Sequence, residues 1–275
     1  MVDLDAAIGY VVAHGDPVDR ARLSWLMSGA IPSQEIFDKV EADQTGNGGW
    51  SAVWAGDVAS VDATCFRLAE LAELGGLDRP AARRALDWLA SSQRPDGGWD
   101  EDPSLADVAP PWAQPGDPEA RLYLTMNAAF WLAVGGPPQG ARHSAGPGPE
   151  QHERLAVVTS AAEAFRAALR SDGSWPSFLA TGWLGGAVLH HLGWLHEAAP
   201  IWAILTDRVP ELAPSDCAAM GGALLRVAST GDLLLEAVHR RLAQTQRSDG
   251  GWPSDDGDGE AFNVHTTLTA LRLLR

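Results

Sequence analysis

Few side chains in this sequence have types and spacing that could do chemistry. Asp62 is the first, in Ser60-Val-Asp62-Ala-Thr64-Cys65-Phe66, where a carboxyl stands at the head of an apolar segment. Two opposed effects act on such a group. Burial among apolar neighbours favours the protonated acid, whereas the first turn of a helix favours the carboxylate. Two acidic loops follow tryptophans: Asp100-Glu-Asp102, and Ser254-Asp-Asp-Gly-Asp-Gly-Glu260, which holds Asp255, Asp256 and Asp258. Clustered carboxylates can hold Mg2+ for a diphosphate substrate. Loops of Asp and Gly also serve simply as solvated turns. His190-His191 and His196 flank an apolar helix end and read as core or surface histidines. Neither a Ser/His/Asp nucleophile pattern nor a phosphate-cradling P-loop is present.

What must position these groups is a repeated turn. Gln44-Thr-Gly-Asn-Gly-Gly-Trp50, Gln93-Arg-Pro-Asp-Gly-Gly-Trp99 and Gln246-Arg-Ser-Asp-Gly-Gly-Trp252 share one pattern. Leu169-Arg-Ser-Asp-Gly-Ser-Trp175 is a degenerate fourth copy. The Trp-to-Trp spacings are 49, 76 and 77, so one unit between Trp175 and Trp252 lacks the pattern. Asp/Asn-Gly-Gly ends a helix, because glycine accepts the left-handed cap without a Cβ clash. The Gln can satisfy orphan backbone groups of a neighbouring helix end, and the Trp adds a large surface with one N–H donor.

Helices of two kinds fill the intervals. Six have a charged face, at about 4–14, 33–43, 79–92, 150–170, 195–209 and 231–245. Six interleaved segments are apolar nearly all round, at about 17–28, 57–74, 119–134, 178–193, 214–229 and 260–274. Only 17–28, with its several charges, fits its class poorly. No segment reads as a strand. Twelve helices in two alternating classes predict an all-α fold, an inner barrel within an outer ring, formed by residues 1–275 as a single domain.

Composition bounds the function classes. The 275 residues carry 20 Lys+Arg against 36 Asp+Glu, a formal charge of −16, with Lys39 the one lysine. Such a chain has few cations to cluster against nucleic acid. Cys65 and Cys217 are too few for a disulfide framework and fit a reduced, cytoplasmic setting. The N-terminus shows no signal peptide, and no apolar run approaches a transmembrane segment. Twelve Trp against 2 Tyr and 6 Phe is the unusual number.

The QxxDGGW turns between alternating helices resemble the repeats of squalene–hopene and oxidosqualene cyclases and of protein prenyltransferase β subunits. The resemblance covers nearly the whole chain. It implies a single α/α six-hairpin toroid in which Gln44/Trp50, Gln93/Trp99 and Gln246/Trp252, with Trp175 more weakly, are structural. Class II terpene cyclases protonate an alkene or epoxide with an acid from a D-x-D-D-T or V-x-D-C-T stretch. Asp62 matches the donor position and Thr64 the following Thr, while Ser60 and Ala63 replace the flanking acids. The resemblance therefore implies a protonation-initiated terpene cyclase, an isomerase acting on a prenyl chain or prenylated compound. Asp62 would be the general acid. Thr64, Cys65, Trp54, Asn127, Trp131, Trp183, Asp216 and His265 are the expected cavity lining, with Trp25 also beside an inner helix. Aromatic ring faces there would stabilise cationic carbon. His265 is a candidate to orient Asp62 across the barrel. No cofactor is expected, unless Mg2+ accompanies a diphosphate substrate.

Two alternatives remain open on the sequence. Prenyltransferase β subunits carry a zinc-binding His on a late inner helix, and a D-x-C pair on the one before it. Here His265, Asp216 and Cys217 fall on the matching helices, but Asp216 and Cys217 are adjacent, so their side chains diverge by about 100°. The other alternative is a non-catalytic toroid that binds a hydrophobic ligand or a partner protein. Triterpene cyclases use two toroid domains and this chain has helices for one. Either a small isoprenoid is handled by one domain, or a second subunit or a copy of the chain completes the cavity.

Overall fold

The computed structural model describes residues 2–135, 149–227, 233–254 and 259–275. Its helices are α1 (Leu4–His14), α2 (Pro17–Ser28), α3 (Gln34–Glu41), α4 (Val61–Glu73), α5 (Pro80–Ser91), α6 (Pro118–Val134), α7 (Pro149–Ala168), α8 (Leu179–His191), α9 (Leu195–Arg208), α10 (Pro214–Leu224), α11 (Leu233–Thr245) and α12 (Glu260–Leu274). The helix starts follow local chemistry. Asp3, Asp16, Ser60 and Asp117 accept backbone N–H groups as N-caps. Pro17, Pro80, Pro118 and Pro214 occupy first helical positions, where proline's missing N–H costs nothing.

The even-numbered helices close an inner ring: α2 packs on α4, α4 on α6, α6 on α8, α8 on α10, α10 on α12, and α12 on α2. The odd-numbered helices lie outside and pack against members of that ring. The chain is thus an all-α toroid of six helical hairpins, as the alternating pattern predicts. The misfit segment 17–28 is nevertheless inner. Arg22 on α2 is only 3% exposed and pairs inside the ring with Glu73, so one of the charges that fit the apolar class poorly is internal, while Arg20 is exposed. One expectation needs correcting. A two-residue antiparallel pair, β1 (Trp50–Ser51) and β2 (Ala59–Ser60), aligns Trp50 with Ser60 just before α4.

The repeated turns fasten one hairpin to the next. Gln44 Nε2 donates to Gly48 O in its own turn and to Ala81 O in α5; Gln93 does the same with Gly97 and Val157 of α7. Gln246 Nε2 donates to Gly250 O and Asp3 O while its Oε1 accepts from Asp3 N, tying the last turn to the first helix. The first glycine of each turn has positive φ and touches the next outer helix. A Cβ at Gly97 would lie 2.6 Å from Ser160 O, and one at Gly250 2.3 Å from the Ala6 carbonyl carbon. Trp50, Trp99 and Trp252 are fully buried, and their backbone N–H groups donate to Thr64, Thr125 and Thr267 at equivalent places on the inner helices. Among the described residues, no helix is long and apolar enough to cross a membrane.

Candidate active site

Asp62 occupies the first turn of α4, which a buried carboxylate holds in place. Glu101, 1% exposed, accepts from Ser60 Oγ at 2.8 Å, from Val61 N at 2.9 Å and from Asp62 N at 3.0 Å. Ser60 in turn accepts from Ala63 N. Burial, helped by the Asp62 charge, holds the Glu101 carboxyl up at about 7 against the pull of these three donors. The backbone N–H groups at the start of α4 are thus satisfied by Glu101, which leaves the Asp62 side chain free to point elsewhere.

That side chain meets two aromatic donors. Tyr123 OH donates to Oδ1 and Trp112 Nε1 to Oδ2, both at 3.1 Å. Asn127 Nδ2 donates to the Tyr123 oxygen at 3.2 Å, so a short relay runs Asn127 to Tyr123 to Asp62. Burial raises the Asp62 pKa, and the bonds from Trp112 and Tyr123 oppose it without cancelling it. Burial pushes the Tyr123 phenol up as well. Asp62, Tyr123 and His265 are closely surrounded by protein yet keep accessible surface, as groups on a concave wall do.

The concavity is the lumen of the inner ring. Phe66 on α4, 48% exposed, stacks on His265 of α12 with ring centroids 6.2 Å apart. Tyr123, Asn127 and Trp131 follow at i, i+4 and i+8 along one face of α6. Arg226, just past α10, lies with Cζ 5.1 Å from the Trp131 ring centroid. Helices α4 and α12, or α6 and α10, are separated in the ring by an intervening helix, so these contacts cross the interior. Tyr123 also meets Phe178 edge-on at 6.2 Å. An acid sits at the end of the lumen where the inner helices begin, and aromatic faces line the space beyond it.

Several expected liners lie elsewhere. Thr64 is fully buried, accepting from Trp50 N and donating to Ser60 O, so it belongs to the repeated turn and not to a cavity. Cys65 is enclosed beside Asp62, and burial raises its thiol pKa well above the usual value. Trp54 sits in the loop between β1 and β2, outside the inner ring. Trp183 is nearly enclosed in α8, and Trp25 packs beneath Gly75 at the end of α4. His265 Nδ1 lies 2.9 Å from Arg22 Nη2 and does not reach Asp62. Burial and the Arg22 charge lower its pKa, and the accepting Nδ1 fits a neutral ring. Sequence reasoning missed Tyr123, Trp112 and Glu101. Tyr123 offered a signal, as one of two tyrosines and a polar tip in an apolar helix. Trp112 comes from a loop 50 residues away and offered none.

No zinc site forms from Asp216, Cys217 and His265. Cys217 is fully enclosed, burial pushes its thiol up to about 12, and His265 faces a guanidinium. Among the described residues no group of three or more His, Cys, Asp or Glu is gathered to hold a metal. In the loop after Trp99, Asp100 pairs with Arg94 at 3.3 Å, Glu101 caps α4, and Asp102 caps a short turn. Asp255, Asp256 and Asp258 lie outside the described residues.

No family model and no curated protein sequence matches the chain. Solved structures do. A protein from Actinoplanes superposes with TM-score 0.60 at 18% identity, covering 98% of this chain and 97% of its own. The type II terpene cyclase MstE from Scytonema superposes with TM-score 0.59 at 16% identity, covering 98% and 95%. Variants of MstE carry geranylgeranyl dihydroxybenzoate as substrate (TM-score 0.59, 15% identity, covering 98% and 95%) and merosterolic acid A as product (TM-score 0.57, 16% identity, covering 98% and 94%). At these identities the likeness establishes a shared fold over almost the full length of both chains, that of a terpene cyclase.

Proposed function

We propose that this chain is a protonation-initiated terpene cyclase acting on a prenyl chain or prenylated compound, with Asp62 as the acid. The observation that carries the reading is the Asp62 carboxyl itself, whose pKa burial raises, set in the first turn of α4 four residues before the exposed Phe66 ring and under donors from Tyr123 and Trp112. In the initiating step the Asp62 O–H bond breaks and a C–H bond forms at a substrate double bond. That leaves a carbocation on the substrate and a carboxylate on Asp62. The hydrogen bonds from Tyr123 and Trp112 stabilise that carboxylate, which makes Asp62 the stronger acid once substrate has displaced water. Phe66, 48% exposed, offers a ring face to the cation as it migrates, and loss of a proton to water or to the Asp62 carboxylate ends the reaction. The step needs no metal; Mg2+ would enter only by accompanying a diphosphate.

The likeness to MstE supports this reading on size. A chain of nearly the same span is a type II terpene cyclase with substrate and product bound, so one toroid is a sufficient scaffold there. The test is incubation with geranyl, farnesyl and geranylgeranyl diphosphates, squalene and a geranylgeranylated dihydroxybenzoate, with and without Mg2+, read by mass spectrometry. A cyclised isomer of unchanged mass is expected, and its loss in Asp62→Asn with an unchanged melting temperature. Binding of these compounds without any product would reduce the chain to a ligand-binding toroid. Unchanged turnover in Asp62→Asn would remove Asp62 from the mechanism.

A further inference from the structure

The lumen end opposite Asp62 gathers charge that the described residues do not balance. Glu73 closes α4, and Arg22 of α2 pairs with it. Arg272 lies on α12 seven residues beyond His265, on the same face. Arg226 reaches in from the end of α10 to lie over Trp131 of α6. Three guanidinium groups from three inner helices therefore share one buried carboxylate. Arg22 uses that carboxylate, together with Asp19 on its own helix. Among the described residues, neither Arg226 nor Arg272 forms an ion pair or a side-chain hydrogen bond, and Arg272 Nε is buried with nothing to donate to. Burial and the neighbouring Arg272 lower the Arg226 pKa to about 10, with Glu73 offsetting only part of this.

Burying a guanidinium without an anion is costly. The imbalance sits in a protein with a net charge of −16, yet among the described residues Glu73 and Asp19, both paired with Arg22, are the acids at this end. We propose that Arg226 and Arg272 form a subsite for the anionic head group, carboxylate or phosphate, of an amphipathic prenyl substrate whose far end lies at Asp62. The proposal deepens the cyclase reading by naming the substrate class, and it rests on that reading only for the prenyl tail. The geometry sets the span: Asp62 and Glu73 stand at opposite ends of α4, roughly 16 Å apart at about 1.5 Å per residue. An extended chain of several isoprene units bridges that distance, with the aromatic rings of Phe66 and Trp131 along the way. A head group fixed at the arginines would leave the terminal double bond beside the acid. A neutral hydrocarbon such as squalene would leave both guanidinium groups unpaired.

Calorimetric titration tests this without relying on catalysis. The probes are geranylgeranyl diphosphate, a geranylgeranylated hydroxybenzoate carrying a free carboxylate, and neutral geranylgeraniol. At least one anionic probe should bind about tenfold or more tighter than the alcohol, and comparing the two anions tells phosphate from carboxylate. The preference should collapse in the Arg226→Gln/Arg272→Gln double variant and persist in Asp62→Asn. Should the double variant melt early, inorganic diphosphate and benzoate are titrated against the wild-type protein holding the favoured anionic probe, where competition by the matching anion is expected. Equal binding of the alcohol, a preference that survives loss of both arginines, or no competition by either anion overturns the proposal. Anion-selective binding without cyclisation would leave this subsite standing and remove the cyclase reading. Cyclisation without selectivity would do the reverse.

Discussion

The Tyr123 hydroxyl donates to Oδ1 of Asp62 at 3.1 Å while its own oxygen accepts from Asn127, so the phenol proton has one place to go. That bond favours the Asp62 carboxylate, against the burial that favours the acid. Tyr123→Phe removes it without changing the ring. Losing a hydrogen bond to a charged group costs roughly 1.5–3 kcal/mol, so turnover should fall by about 10- to 100-fold. The sign of the pH effect follows. Asp62 is competent only while protonated, so activity is lost as pH rises through its raised pKa. Tyr123→Phe raises that pKa further, and the alkaline limb of the rate profile should move to higher pH as the maximum drops. A limb that moves to lower pH would show that Tyr123 does not act on Asp62 in this way.

Glu73 governs the acid side of stability. Burial raises its pKa, but Arg22, Arg272 and His265 outweigh burial and bring it from 4.5 to about 2. A depressed carboxyl contributes stability above pH 4.5 that is lost as pH falls toward 2, about 3 kcal/mol over that window. Glu73→Gln takes one of its two carboxylates from the buried Arg22 and leaves Asp19, which should destabilise the fold at pH 7 by up to about 3–5 kcal/mol. The variant should also show a flatter loss of stability between pH 4.5 and 2 in denaturant titrations. Parallel acid limbs in the two proteins would assign the acid sensitivity to other groups.

Among the contacts that close the toroid is Gln246, whose amide both donates to and accepts from Asp3 across 243 residues of sequence. Gln44 and Gln93 make the same kind of bond between hairpins much nearer in sequence. Gln246→Ala should cost about 1.5–4 kcal/mol for three lost hydrogen bonds. Its effect on exchange protection should differ. Freed from the last turn, α1 should exchange its amides faster, whereas Gln44→Ala should loosen the contact between its turn and α5. Protection of α1 unchanged in Gln246→Ala would mean that packing on α12 and the remaining polar contacts, such as Tyr10 with Glu260, hold α1 without it.

Most of the toroid is legible in the sequence because its helices alternate between half-buried and fully enclosed, and each class has its own polarity. The exception teaches most. Segment 17–28 fits the apolar class poorly because Asp19, Arg20 and Arg22 are charged, and periodicity cannot reveal that Arg22 turns inward to Glu73 on another helix. The site shows the same division. Asp62 is found from its local stretch, since an acid heading an apolar helix is a local anomaly. Its partners Trp112 and Tyr123 come from residues 50 and 61 positions away, and only the closed ring brings them to it. Thr64 is expected in the cavity because it matches the Thr of the class II cyclase motif, yet it is fully buried in the turn. Its equivalence to Thr125 and Thr267 appears only when all three accept the N–H of a turn tryptophan.

Helix α8 explains three of the large aromatic residues and carries the last prediction. Its glycines stand where bulky rings press on the backbone: a Cβ would lie 1.9 Å from Trp175 at Gly182, 2.2 Å from Phe165 at Gly185 and 2.6 Å from Trp202 at Gly186. Glycine in a helix interior costs about 1 kcal/mol relative to alanine, so at an open site the substitution should stabilise. Gly9 in α1 is such a site, where a Cβ would meet nothing within 4 Å. Gly9→Ala should therefore raise stability by about 0.5–1 kcal/mol. Gly185→Ala should instead lower it by about 1–3 kcal/mol, because the Phe165 ring is enclosed on all sides and has nowhere to move. Denaturant unfolding of the two variants side by side decides the matter. Stabilisation by both would show that the aromatic rings over α8 yield to a methyl group, and that its glycines serve something other than close packing.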